Sequence, residues 1–475
     1  MNRFLLIIYI CLLSASTKSQ TGSTGIGTTT PNASAILDIS SNNKGVLLPR
    51  ITSSQRKSIT TPAPGLLVYD TDKRTIFLFD GTQWVPMMIA NGEANIIPEA
   101  VAPTNTVGEE AAGKSVDVAG NYAIFGAPFY NSEQGAAYIY FKQNGVWTQQ
   151  AKLIAPDGAA EDRFGTAVAI NGDWAIVGAY NDDILSGPPI IQNYVDRGSI
   201  YIYQRSGTTW TQTNKLTSTT AASFVNYGSN ISLDGDRLIV GAWGDNNTGA
   251  AYIYQRSGNL WVLQQRIVSS DIATGDEFGT TVDISGNYAI VYAGGDDSNT
   301  DSNVGSVYIF FNNGVSWSQQ LKINGGPALT ILDNFGVGVA ITDSLLLIGN
   351  NGAVVNGMNY YGEITAYRRN GAFWQVIPFP DIPDGTANAR IGGYVTIKGE
   401  MAIVCATSGY GPLPGQGGTY VYKYINRAWK FDHKISKPQG LYSGLPGPVA
   451  TDGVHIVIGT VGMGSSGGIA IVNLE

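Results

Sequence analysis

Six tryptophans, Trp147, Trp210, Trp261, Trp317, Trp374 and Trp429, follow one another at intervals of 51 to 63 residues. A glycine turn, most often Gly-Asn or Gly-Asp, keeps step with them at Gly120, Gly172, Gly235, Gly286, Gly399 and Gly453, with Ser344 as the variant. The chain is therefore a repeat array. This period is too long for helical or leucine-rich solenoids and suits one four-stranded sheet per repeat, the blade of a β-propeller.

Each repeat has four beats, and the second shows them most fully. Gly165 to Ile170 alternates as a strand, and Asn171-Gly172-Asp173 turns it. Trp174 to Ala179 is a nearly unbroken apolar run, expected of a strand covered on both faces. After a variable loop, Gly198 to Tyr203 forms a third strand, Ser206-Gly207 a hairpin turn, and Trp210 to Leu216 a more polar outer strand. Counting the turns predicts seven repeats. The seventh stops at Glu475 without its outer strand, and an open ring would leave unpaired edges. Glu93-Ala94-Asn95-Ile96-Ile97 reads like the end of an outer strand and is expected to close the circle. The fold class is all-β, a seven-bladed propeller of four-stranded antiparallel blades over residues 93–475.

Composition agrees and narrows the function. Charged residues are only 13% of the chain, with 60 glycines and 25 tyrosines, a balance for tight turns and strands. The net charge of -8 sets nucleic acid aside as a partner, because phosphate binding relies on clustered Lys and Arg. Residues 1–19 combine Arg3, an apolar run from Phe4 to Leu13, and small residues after it, the pattern of a cleaved secretory signal. The run is too short to span a bilayer, and no other segment of the mature chain would. Cys11 leaves with the signal and lacks the flanks of a lipidation site. Cys405 then stands alone amid Ala402 to Ala406 and reads as a small buried apolar residue.

Residues 20–92 fall outside the repeat. Thr21 to Thr30 is a low-complexity Gly and Thr stretch, expected to be mobile. Ala35 to Ile39, Gly45 to Arg50, Gly65 to Asp70 and Thr75 to Phe79 are short strand candidates, with a helical turn at Ser53 to Ile59. So small a module is expected to lean on the propeller or on copies of itself.

Across about three quarters of the chain the repeats resemble the FG-GAP repeat family, whose members form seven-bladed propellers like the head of integrin α chains. Phe164-Gly165, Phe278-Gly279 and Phe335-Gly336 match the Phe-Gly element, with Asp162, Asp276 and Asp333 shortly before. Gly126-Ala127-Pro128 matches the Gly-Ala-Pro element, and Gly178 and Gly241 match it in part. The closest likeness is to the bacterial branch, with its outer strand of Trp, Gln and Lys as at Trp147, Gln149 and Lys152. Segments such as Ala35 to Ile39, Lys44 to Arg50, Gly65 to Asp72 and Asp80 to Trp84 resemble those of exported, tail-fibre-like proteins of Gram-negative bacteria. That likeness implies an extracellular or cell-surface setting and brings no activity. Integrin-type blades carry a calcium loop between the first two strands, whereas two-residue turns such as Gly172-Asp173 cannot wrap an ion. No cofactor or metal is therefore carried over.

Three features invite a site. Asn181-Asp182-Asp183, Gly244-Asp245-Asn246 and Gly295-Asp296-Asp297, with Asp301, could hold a cation, but solvated turn formation explains them more simply. The repeat tryptophans could stack sugars, but packing between blades is simpler. Lys152, Lys215, Arg266, Lys322 and Lys434, each five residues after its tryptophan, read as guards of a sheet edge. For catalysis there are only His433 and His455, in different repeats and without a motif. The expectation is a secreted or cell-surface binding or adhesion scaffold, non-catalytic, using the loops after the second strands and above all Tyr180 to Arg197, for an unknown protein or glycan ligand. Oligomerisation would run through the N-terminal module. The alternatives are a lectin-like carbohydrate binder and a polysaccharide lyase or hydrolase, whose acid and base could come from distant blades.

Overall fold

Alternation along each strand decides where the core sits. Side chains point to opposite faces at a period of two, so a strand inside a ring of blades feeds two different joints. In the second strand of blade two, Trp174 and Ile176 join one buried cluster with residues of blade three, including Leu238 and Trp261. Ala175, Val177 and Ala179 join another with Ile124 and Ile139 of blade one. Seven such clusters occur, one for each joint of a seven-membered ring. The core is a set of slabs between sheets.

The computed structural model describes residues 24–475 apart from 33, 73–74, 87–98, 102–111, 186–192, 298–303, 325–333, 356, 384–386, 408–416, 436–444, 462–467 and 475. The expected signal segment, with Cys11, lies outside these residues. Contacts divide the chain into two units, Met1–Pro86 and Met87–Glu475.

The second unit is an all-β propeller of seven four-stranded sheets. Its first six blades use consecutive strands, with every pairing antiparallel. In blade two the inner strand Ala167–Asn171, then Trp174–Ala179, Ser199–Ser206 and the outer strand Thr209–Thr217 lie side by side. The turn between the first two strands is a two-residue hairpin, with Asn171 paired to Trp174 around Gly172 at φ +58°. Outer strands shift register once, as between Ile202 and Tyr203, and the bulge adds local twist.

Blade seven is completed from upstream of the array, as expected, and the described part of the closing strand is Glu99–Val101. Glu99–Val101 pairs antiparallel with Gly468–Asn473 through Val101 to Ile469, Ala100 to Ala470 and Glu99 to Ile471. The segment expected to close the ring, Glu93 to Ile97, lies outside the described residues. The described part lies a little nearer to blade one in sequence. Its three residues carry almost no alternation signal.

The first unit is small. Thr24–Ile26 pairs in parallel with Leu37–Ile39, inside the stretch expected to be mobile. Arg50–Ile51, Leu67–Asp70, Thr75–Phe79 and Trp84–Pro86 form a four-stranded sheet. A one-turn helix, Ser53–Lys57, is held by a capping box between Thr52 and Gln55. Arg56 lies over the Phe77 ring at 3.7 Å and bonds the buried Asp70 at 2.8 Å. Ile26, Ile36, Leu37, Ile39, Val46 and Leu47 all remain exposed.

Candidate functional site on the loop face

Two sequence features read separately are one repeated unit. The loop after the second strand and the loop that leads to the next inner strand emerge on the same face of a blade, and buried carboxylates tie them together. In blade two, Lys215 Nζ lies 2.7 Å from Asp157 and 2.6 Å from Asp182. Tyr201 Oη reaches the same pair at 2.9 and 3.2 Å. Blade four repeats this with Lys322 at 2.6 Å from Asp271 and 2.7 Å from Asp296, and Tyr308 Oη at 3.0 and 2.7 Å. In blade three Asp245 takes Arg266 at 3.1 Å, Thr220 at 2.9 Å, and the Tyr252 hydroxyl.

This corrects two expectations. Asp182, Asp245 and Asp296 are buried, not solvated, and Lys215, Arg266 and Lys322 are ion-pair partners rather than edge guards. In blades one and six the matching lysines also lie over rings, Lys152 over Tyr130 at 3.5 Å and Lys434 over Tyr420 at 5.3 Å. Asp183 accepts from the Asp196 backbone N–H at 2.9 Å, which braces the long loop. Ile184–Leu185 and Asn193–Tyr194 pair there as a small hairpin arm. Asp301 lies outside the described residues.

The charges are set by these contacts. Burial works against the Asp157 and Asp271 carboxylates, but hydrogen bonds from the lysine and tyrosine prevail and hold both below the ordinary range. Burial likewise opposes the Lys215 ammonium, and its two carboxylate partners raise it instead. Burial first, and then the neighbouring carboxylates, push the Tyr201 and Tyr308 hydroxyls far up, so both rings stay neutral donors. Asp162 and Asp276 close the loop from the other side, each accepting a backbone N–H at 2.6 Å, from Ala159 and Ala273. Asp333 lies outside the described residues.

The Phe-Gly element plugs each joint from the same face. Phe164, Phe278 and Phe335 are buried in the joint with the preceding blade, as are Tyr227 and Ile391 at the equivalent position. The glycine that follows has φ between +89° and +98° at Gly165, Gly228, Gly279, Gly336 and Gly392. Its carbonyl abuts the glycine of the preceding blade's second strand. A Cβ on Gly126, Gly178 or Gly241 would lie 1.8 to 2.1 Å from the oxygen of Gly165, Gly228 or Gly279. The two motif elements are therefore the two sides of one contact. Tyr292 replaces the strand glycine in blade four, and a Cβ on Gly336 would meet its ring at 2.5 Å.

The tryptophans are packing residues, and the sugar-stacking reading is excluded for them by burial. Trp147, Trp210, Trp261, Trp317 and Trp429 are each at most 8% exposed, and Trp374 is half-buried. Four meet the start of the preceding blade's second strand: Trp210 on Tyr122, Trp261 on Trp174, Trp374 on Tyr288, and Trp147 on His455 across the ring closure. A glutamine three residues after one tryptophan accepts the indole N–H of the next. Gln150 takes Trp210 at 2.9 Å, Gln320 takes Trp374 at 3.2 Å, and Gln264 takes Trp317 at 3.5 Å. Blade two has Thr213 at that place and blade five Ile377, and the next indoles, Trp261 and Trp429, have no partner among the described residues. The glutamines escaped the sequence reading because their meaning lies in the neighbouring blade.

The inner strands line a central channel of about 1340 Å³. Its carboxyls stitch neighbouring blades. Asp117 accepts the Ile170 backbone N–H of blade two at 2.7 Å. Asp283 accepts Ser232 Oγ of blade three at 2.6 Å and the Ile341 N–H of blade five at 2.8 Å. Burial pushes Asp117 up to about 7 and Asp283 up to about 6. Neither histidine enters this wall: His433 bonds Asp432 at 2.8 Å on an outer strand, and His455 sits at the joint of blades seven and one. Cys405 is fully buried, 3.6 Å from Thr419 Oγ1, and burial raises its thiol to about 12.

Seven four-stranded blades, four of them plugging the joint behind with an aromatic-glycine pair, define a β-propeller. A family model described as FG-GAP repeat matches residues 147–203, 210–254 and 261–310, and the chain carries FG-GAP repeats. A second model, described as phage tail like trimerisation region, matches residues 25–103. Among solved structures, a chain of the crystal structure of a mitotic checkpoint complex is similar at 12% identity and a TM-score of 0.49, over 82% of this chain and 95% of that one. Among the described residues no helix is long and apolar enough to cross a membrane.

Proposed function

We propose that the protein is an exported, non-catalytic binding or adhesion scaffold that presents its loop face in three copies. The observation that carries this reading is the pinning of that face: buried Asp, Lys or Arg, and Tyr clusters lock loop pairs in three consecutive blades. Rigid loops lose little entropy on binding, so a preorganised face suits recognition. The arm at Ile184–Leu185 and Asn193–Tyr194 gives the face a projecting element. The trimerisation-region match and the exposed Ile26, Ile36, Leu37, Val46 and Leu47 support assembly through the N-terminal module. Three linked faces would gain avidity without any new contact.

Three measurements on the full-length protein test this. Light scattering is expected to give three copies, and a monomer at micromolar concentration overturns the assembly. Fractionation of producing cells should find the protein outside the cytoplasm with its first residues removed, and an intact cytoplasmic product overturns export. Incubation with acidic polysaccharides should release no reducing ends. Release that is lost when Asp117 or Asp283 becomes Asn would establish an enzyme instead.

A further inference from the structure

The joint that seals the ring carries a cluster of its own. His455, at the start of the second strand of blade seven, is 4% exposed. Its Nδ1 lies 3.0 Å from Asp452 Oδ2 and its Nε2 2.9 Å from Lys142 Nζ on the third strand of blade one. Lys142 also donates to Asn473 Oδ1 on blade seven at 2.7 Å. The imidazole stands edge-on to Trp147 at 5.3 Å, and the Lys142 ammonium lies 5.9 Å from the same indole. Asp452 further accepts the Gly120 N–H of blade one at 2.8 Å. Among the described residues, the charged or titratable groups placed against the imidazole are Asp452 from its own turn and Lys142 from blade one, while Trp147 and Asn473 are neutral.

An ammonium nitrogen can only donate. In this geometry Nε2 is therefore bare, and the ring proton sits on Nδ1, facing Asp452. We infer that the seam is a proton-sensitive clasp, opened when His455 takes a second proton on Nε2. An N–H would then point at the ammonium from hydrogen-bond distance at a part-buried contact, where like charges repel. Lys142 must leave, and its bond to Asn473 goes with it. Asp452 keeps the imidazolium and the Gly120 N–H, so the blades stay in touch but lose the strap between their third strands. Acid is therefore the trigger. At three other joints the ring in this place cannot gain a proton: Trp210, Trp261 and Trp374 meet Tyr122, Trp174 and Tyr288, and the cation of the later blade, Arg205, Arg256 or Arg369, lies over that ring.

Amide hydrogen exchange on the full chain tests the clasp, after correction for the intrinsic pH dependence of exchange. Between about pH 7.5 and about pH 5.5, protection of Tyr140 to Lys142 and of Ile469 to Ile471 is expected to fall by at least about threefold, while Ile239 and Val240 in blade three hold theirs. His455→Gln keeps an acceptor for Lys142 at either pH and should abolish the fall, whereas His433→Gln should leave it intact. Lys142→Met removes the clasp outright and should give a low, pH-independent protection at the seam. If His455→Gln does not fold, nitrogen chemical shifts of the wild-type imidazole decide. An Nε2 protonated at about pH 7.5, an unchanged wild-type seam, or a fall that survives His455→Gln or Lys142→Met each overturn the proposal.

Discussion

The joint between blades one and two and the joint between blades seven and one solve the same packing problem with different chemistry. At the first, Trp210 meets Tyr122 edge-on and its indole N–H is taken by Gln150. At the second, Trp147 meets His455, its N–H has no partner among the described residues, and a lysine reaches across instead. Both joints also take a cation from the later blade, Arg205 over the Tyr122 ring at 4.7 Å in the first and Lys142 at the imidazole in the second, so the difference lies in what the cation meets: an aromatic face or a ring nitrogen. A repeat can copy its interface from blade to blade only where the neighbour is also a repeat. Blade seven borrows its outer strand from Glu99–Val101, so no Trp-x-x-Gln stretch stands there to serve Trp147.

The largest way to break the ordinary joint is to fill the glycine contact. Gly178→Val places a side chain 2.1 Å from the Gly228 carbonyl, and a loss of about 3 kcal/mol or more, or failure to fold, is expected in chemical denaturation. A stable, well-folded Gly178→Val protein would show that the blades do not abut as described. Next comes Lys215→Met, which leaves Asp182 buried without its cation. A loss of roughly 2–4 kcal/mol is expected, below the full cost of a broken buried pair because Lys215 keeps some exposure. Thermal melts with the control Lys430→Met, at an exposed lysine of blade six, would check it.

Smaller effects sharpen the comparison. Gln150→Leu orphans the Trp210 indole and should cost about 1–2 kcal/mol, whereas Thr213→Gln supplies Trp261 with the acceptor it lacks and should gain roughly 0.5–1 kcal/mol. Equal melting temperatures for these two variants would refute the glutamine rule. Last is a pH effect opposite in sign to that of the seam. The folded Asp117 carboxyl keeps its proton up to about 7, while the unfolded one releases it near its ordinary value of 3.8. The folded state therefore holds the extra proton between those values, and stability falls as pH rises through that window. Asp117→Asn should flatten this slope by about 1–3 kcal/mol. An unchanged stability-versus-pH curve would show that the channel carboxyl is ionised throughout.

What could be read in the sequence was whatever repeats with a fixed spacing. Trp174 to Ala179 declares a buried strand by composition alone, and Gly172 declares its turn. The loop-face clusters stayed hidden because Asp182 and Lys215 are separated by a loop of variable length and a whole hairpin. Taken singly, each looks like an ordinary surface residue, and only the stacking of four strands side by side brings them together. The closing strand was placed upstream of the array for the right reason, the missing fourth strand of blade seven. Its extent could not be read because the described part, Glu99–Val101, is too short to show a period. Tyr292 shows the converse limit: a bulky ring stands where the neighbouring repeats have glycine, and only the space around Gly336 shows how it is accommodated.

Ala100 and Ala470 are hydrogen-bonded neighbours although about 370 positions separate them along the chain. On a ribosome the latch emerges before any blade and its keeper emerges last. Six blades can stack as they are made, but the toroid cannot lock before blade seven has emerged, and until then both terminal sheets carry a raw border. Shutting the toroid should be the slow, late event of its biogenesis, the interval in which a chaperone would matter most.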